Sequence, residues 1–513
     1  MTGAARRTLG AALLAVFLGA LDLTVIATIL PGMVTDLRIN AADVDRYVWI
    51  VNSYLLAYVV AIPVVGRLSD LLGRTIAFQG SLALFLSGSI VCALASDLPA
   101  IVVGRAIQGA GGGALLPVTM AMVGDLLPPG RRTAALGLVG AIDTLGWVMG
   151  PLWGALLVEL VPGEEPWRWV FIVNIPLAIA AGVAIGRVGG AGREWAADWW
   201  RKLDVPGAVL LAGTLLALNL GLSAGGELGA PAGGARALGG SRNPLAGLVL
   251  PLLIIAVVMG SALIWRQRHA HWPLLPVSLF ANRHFTAAIA ANFLVGASLI
   301  VAMVDIPVVT SLLVEPESVS RVAALMLAPF TLVIAVLSFA GGSIASRLGM
   351  RRTAAVGLLL VAAGYGALWI GLRGSDLLGM VPGLILAGAG FGLVFAPIGA
   401  TAIDAAPDRD RGIAAAMTLV FRLLGMTIGI STLTAIAVRR LQGLVGNLEA
   451  IEQGPNETTA EFLARQTTLL YETVLPISLQ VIRETFLLAG GIALLGLVPI
   501  LAFASRRSAA DPS

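Results

Sequence analysis

Gly66–Thr75 reads GRLSDLLGRT, a short polar stretch between two long apolar runs. Its glycines let two helices approach, Asp70 is placed to cap or pair, and Arg74 to anchor the turn in a charged interfacial layer. The ten residues read as a tight cytoplasmic elbow. The stretch returns at Gly342–Arg351 as GSIASRLGMR, with the glycine spacing and the basic residues Arg347 and Arg351 kept. Further out, GAGGGALLPVTMAMVGDLLPPGRR from Gly109 is echoed by GAGFGLVFAPIGATAIDAAPDRDR from Gly388, with Asp125 matching Asp404 and Pro128 matching Pro407. Two related halves, one after the other, are expected.

A hydrophobic share of 58% against 12% charged, at mean hydropathy +0.92, leaves more apolar surface than a soluble chain of 513 residues hides. The chain reads as a polytopic membrane protein. The net charge of +4 comes from short arginine clusters between apolar runs, a topology signal rather than a nucleic-acid footprint. The first helix carries Asp22 and is followed by no small-residue cleavage site, so it is expected to be retained. Cys92 stands alone, which excludes an internal disulfide and a cysteine metal cluster. His269, His271 and His284 share one basic linker without neighbouring carboxylates, so a solvated linker is expected rather than a metal site. Lys202 is the single lysine and lies in no GxxxxGK[ST], which excludes a P-loop. No nucleophile and base stand at a recognisable spacing. The chain is therefore expected to be neither an enzyme nor dependent on a cofactor, and to draw on an ion gradient.

Apolar runs long enough to span a bilayer fall near 8–33, 46–66, 75–96, 98–124, 134–161 and 169–187. Two more lie near 205–223 and 245–265, and six follow near 286–312, 320–344, 353–372, 378–402, 412–437 and 476–504. The predicted fold is all-α with fourteen spans: a six-helix bundle over 1–190, a linker with two inserted spans over 191–284, and a second six-helix bundle over 285–513. The basic residues alternate to one side, which puts both termini in the cytoplasm. Trp167 and Trp169 are expected at the outer interface, and Trp195, Trp199 and Trp200 with Arg201 and Lys202 on the inner leaflet. After Arg411 the helical pattern outruns the membrane, with Leu441, Leu444, Val445 and Leu448 on one face. Thr458 and Glu461 have capping-box spacing, and Leu463, Leu470, Val474, Ile477 and Val481 stripe the return. An external helical hairpin over 438–475 is expected.

Charges inside the spans mark function. Asp22 lies 15 residues past Arg7, where an ionised carboxylate is costly, so it is expected to bind and release protons. Asp143 and Arg422 each sit 11 residues beyond a basic start, Arg132 and Arg411, hence about 16 Å deep. They hold matching repeat positions, and each is expected to find a partner. Glu159 and Asp305 fall nearer the outer ends, either as an external gate, with Glu159 against Arg422, or simply hydrated. Gly146, Gly150, Pro151 and Gly154 suit a close helix contact with a bend.

GRLSDLLGRT, the first-helix LDLTVIATILP (Leu21–Pro31), RAIQGAGGG (Arg105–Gly113), GWVMGPLWGA (Gly146–Ala155) and WRWVFIVNIP (Trp167–Pro176) resemble the major facilitator superfamily. With fourteen spans, the chain is similar to the drug:H+ antiporter-2 branch, and the external hairpin resembles that branch's mycobacterial triacylglyceride exporters. The resemblance implies alternating access driven by a proton gradient. It also implies export of triacylglycerides or similar lipids from the inner membrane, a periplasmic lipid-binding lipoprotein partner, effects on drug efflux, and a monomer. It further implies that Arg105 tunes a carboxylate such as Asp22, that Gly146–Gly154 lies where the halves swing, and that Gly66, Asp70, Gly73 and Arg74 latch conformational states. The alternatives are a general multidrug/proton antiporter and a non-transporting scaffold for a lipoprotein. Both latch copies depart from the pattern, with Leu71 where a basic residue is usual and Ser346 where the second copy usually has an aspartate, which makes the latch weaker or asymmetric.

Overall fold

The computed structural model describes residues 3–37, 49–161, 163, 165–186, 203–227, 246–315, 318–373, 376–445 and 458–503. The first half is α1 (Gly3–Asp36), α2 (Trp49–Leu72), α3 (Arg74–Leu94), α4 (Leu98–Leu126), α5 (Pro129–Leu160) and α6 (Arg168–Gly186). The inserted pair is α7 (Val205–Glu227) and α8 (Val249–His269), followed by the short α9 (Val277–Ala281). The second half is α10 (Arg283–Leu313), α11 (Val319–Leu348), α12 (Met350–Gly371), α13 (Val381–Asp404), α14 (Arg411–Val445), α15 (Thr459–Leu469), α16 (Leu475–Leu495) and α17 (Leu497–Ile500). Thirteen of these helices, some joined to neighbouring turns, are long and apolar enough to cross a membrane, and the bent α5 makes a fourteenth. Lipid offers no partner to a free peptide group, so helices are the form such runs take.

The packing repeats between halves. In the first, α1 lies on α5 and α6, and α4 on α2 and α3; in the second, α10 lies on α14 and α16, and α13 on α11 and α12. The halves meet along two related seams, α2 with α14 and α5 with α11. The equivalent turns at Gly73 and Gly349 have φ of 94° and 93°, a region glycine enters without strain. The inserted pair lies against α2 and α14, so it covers one seam. Asp204 fastens it, accepting from Gly207 N and Arg266 Nε at 3.0 Å and from Gln267 Nε2 at 2.9 Å. The outer face of α8 is greasy, with Leu250 67% and Val257 68% exposed.

The expected bend in α5 is present: its axis turns by 42° between Trp147 and Met149. Pro151 has no N–H to give the Trp147 carbonyl, and the Thr24 hydroxyl of α1 donates to that carbonyl at 3.0 Å instead. The glycines serve this contact. A Cβ on Gly146 would stand 2.8 Å from the Phe17 carbonyl, and one on Gly150 2.7 Å from that of Leu21. Their place is a correction to the expectation. They pack α5 on α1 inside one half, whereas close backbone approaches between halves include Gly66 on Gly412, Gly137 on Ser338 and Gly342 on Thr133. Trp167 is a second correction: it is 1% exposed and donates to Asp36 at 2.8 Å, because its indole fills the first half's core, while Trp169 stays 44% exposed.

α14 runs 35 residues, about 52 Å by helical rise, well beyond a hydrocarbon core of about 30 Å. The capping box forms: Thr458 N donates to Glu461 at 3.0 Å and Glu461 N to Thr458 Oγ1 at 3.3 Å. Arg440 of α14 pairs with Glu484 of α16 at 3.0 Å. The expected hairpin tip, 446–457, and the aromatic segment 195–202 lie outside the described residues.

Candidate functional site

Three polar clusters stand out among the described residues. The first surrounds Asp22, which is fully buried. It is paired with Arg105 and accepts from Gln108 Nε2 at 2.8 Å and Asn174 Nδ2 at 2.9 Å. Arg105 also donates to Gln108 at 2.7 Å and lies 4.0 Å over the Tyr54 ring, and Gln108 continues to Ser89 at 2.9 Å. One acid thereby ties α1, α2, α3, α4 and α6 together. A buried pair with its remaining valences filled holds its place, and removing one partner costs about 3–5 kcal/mol because the other is left unpaired. Pairing of Arg105 with Asp22 was expected. Gln108 and Asn174 were missed, although Gln108 follows Arg105 by three residues on the same helix face and Asn174 is a lone amide in an apolar run.

The second cluster joins the halves at mid-depth. Arg422 of α14 stands 3.6 Å from Asp143 of α5, an ion pair longer than a hydrogen bond, with the guanidinium 5.2 Å from the Phe395 ring. Two small cavities of about 30 Å³ each flank it. One is lined by Met120, Val139, Asn292 and Leu419, the other by Trp147, Leu299, Met303 and Thr331. Each has room for a water molecule or two and is too small for an acyl chain. The pairing corrects the gate expected between Glu159 and Arg422. Glu159 is exposed near the end of α5, 16 residues and about 24 Å of helix beyond Asp143. Asp305 of α10 is partly buried and meets Thr485 of α16 at 2.5 Å.

The third cluster closes the end that carries the basic loops. Asp70 accepts the backbone N–H of Gly412 at 2.8 Å and of Ile413 at 2.9 Å, the first turn of α14, where the helix dipole favours an anion. It also accepts from Arg74 at 2.5 Å. Arg67 pairs with Asp410 at 3.0 Å. The repeat shows in the outer ring: Arg411 pairs with Asp125 at 3.1 Å, and its counterpart Arg132 pairs with Asp404. Arg74 adds a bond to Asp125 at 2.8 Å. The asymmetry follows from Ser346, whose hydroxyl turns back to Ser343 O at 2.7 Å. Arg347 is exposed at the end of α11, and Arg351 lies on the first turn of α12.

Apolar spans in two pseudo-symmetric sets, with charges buried within each half, on their seam and at their ends, define a membrane transporter rather than an enzyme. The chain belongs to the Major Facilitator Superfamily, whose family model matches residues 12–191 and 190–430. It is 36% identical over 511 residues to the triacylglyceride transporter of Mycolicibacterium hassiacum, covering 98% of this chain and 92% of that one. It is 35% identical over 465 residues to the triacylglyceride transporter of Mycobacterium tuberculosis, covering 88% and 86%. In structure it resembles the proton:xylose symporter XylE at TM-score 0.61 and 13% identity, over 96% of this chain and 94% of that one. The human organic anion transporter MFSD10 follows at TM-score 0.58 and 17% identity, over 97% and 99%. At such identities the likeness is one of fold.

Proposed function

We propose that the chain is a proton-coupled, alternating-access exporter that moves triacylglycerides or similar lipids from the inner membrane to a periplasmic lipoprotein. The names of its near full-length relatives support the lipid. The Asp143–Arg422 pair carries the coupling: it is the ion pair at mid-depth on the seam that must part when the halves rock. Protonation of Asp143 removes the attraction and lets Arg422 leave, while Asp22 with Arg105 keeps the first half rigid enough to move as one body. The units that move are the two bundles, 1–190 and 285–513, with 191–284 along one seam. The basic-loop end is cytoplasmic by its arginines, as are both termini, so the state described here is closed to the cytoplasm. The extended α14 and the helix returning at Thr459 guide lipid toward the lipoprotein, and a monomer suffices.

The test is lipid transfer in proteoliposomes with an imposed pH gradient, comparing the parent chain with Asp143→Asn, Asp22→Asn and a deletion of 442–470. Transfer that follows the gradient, fails with Asp143→Asn and fails with the deletion is the expected result. Gradient-driven movement of lipophilic drugs without lipid transfer marks a multidrug antiporter. Unchanged transfer by Asp143→Asn removes proton coupling through that pair, and unchanged transfer by Asp22→Asn removes the need for the Asp22–Arg105 cluster.

A further inference from the structure

Asp305 and Thr485 present a proton-counting problem. The Thr485 hydroxyl lies 2.6 Å from the Ile482 carbonyl, its own helix's acceptor, and 2.5 Å from the Asp305 carboxyl. A hydroxyl has one proton. With Asp305 ionised, that proton serves one oxygen and leaves the other in close lone-pair contact. With Asp305 protonated, the carboxyl donates to Thr485, Thr485 donates to Ile482, and every contact is satisfied. The helix pair matters too. α10 and α16 are the repeat equivalents of α1 and α6, where Asp22 meets Asn174. The first half gives its acid Arg105 as a counter-charge. In the second half Asp305 has no ion pair among the described residues: Tyr365 of α12 bonds Ser298 O, Arg483 of α16 bonds Trp369 O at 2.8 Å, Glu484 pairs with Arg440, and Arg422 of α14 with Asp143.

We infer that Asp305 is a proton-binding site of the second half, held as a neutral carboxylic acid that donates its hydrogen bond to Thr485. Release breaks the Asp305 O–H bond and hands the proton to a water molecule that reaches the carboxyl from the near end of α10, eight residues or about 12 Å along the helix. The Thr485 proton then swings from Ile482 O to the carboxylate, so the contact between α10 and α16 differs in the two protonation states. Its role in coupling rests on the transporter reading above, but its existence does not.

Infrared difference spectroscopy of the purified chain in nanodiscs, titrated with pH, reads it without transport. The expected result is a protonated-carboxyl stretching band near neutral pH that Asp305→Asn removes, that Asp22→Asn leaves, and that Thr485→Val shifts by deleting its hydrogen-bond partner. Asparagine keeps the size of the side chain and donates to Thr485, so the variant is expected to fold, checked by its melting temperature. A band unaltered by Asp305→Asn, or one that Thr485→Val does not move, overturns the assignment. If the bands behave as expected while lipid transfer shows no response to a pH gradient, the site stands and the coupling reading falls.

Discussion

Replacing Asp70 with alanine shifts the balance between closed and open basic ends. Two of its bonds, to the amides of Gly412 at 2.8 Å and Ile413 at 2.9 Å, cross between halves; the one to Arg74 stays within the first half and survives opening. Hydrogen bonds to a charged group are worth about 1.5–3 kcal/mol each, and on opening the freed amides recover part of that from water. A net loss of about 2–3 kcal/mol from the closed state follows, roughly 30- to 150-fold in the closed-to-open ratio. Arg67–Asp410, Arg411–Asp125 and Arg132–Asp404 remain, so the end loosens rather than unfolds. Cys92 is the single cysteine, so Cys92→Ser gives a background for spin labels at Leu126→Cys and Leu348→Cys, exposed positions at the basic end of opposite halves. Electron–electron resonance distances in the parent should cluster at the short, closed value, and Asp70→Ala should add a long population. Identical distributions in both proteins refute the assignment of Asp70 as the latch.

Three further outcomes are expected. Thr24→Val leaves the Trp147 carbonyl unpaired at the bend and should lower stability by about 1–3 kcal/mol in thermal unfolding, with Thr24→Ser near the parent. Asp143→Arg alone sets two cations together and should abolish transport, while Asp143→Arg with Arg422→Asp restores part of it in the proteoliposome assay. The bonds from Thr458 hold the Glu461 carboxyl below its usual range, so the helix start it stabilises is intact at neutral pH and is lost as pH falls through that depressed value. Hydrogen exchange at 459–463, corrected for intrinsic rate, should accelerate in acid, and Thr458→Ala should bring that acceleration to neutral pH.

The sequence by itself determined the class of fold. Apolar run lengths count the spans, repeated glycines and acids pair the halves, and the Pro151 region announces a bend, because each signal is local and set by lipid and backbone chemistry. Thr458 and Glu461 announced their cap for the same reason. Only the tertiary structure decided which charges meet. Arg422 stands 279 residues from Asp143 and its partner depends on the depth at which α14 crosses α5, a quantity no local pattern holds; Glu159 shares the helix yet lies too far along it. The same holds for Asp22, whose amide partners arrive on α4 and α6, and for Gly146 and Gly150, whose small size announces a close contact but not that α1 supplies it. Composition fixes that buried polar groups must be satisfied; the packing of helices distant in sequence chooses by whom.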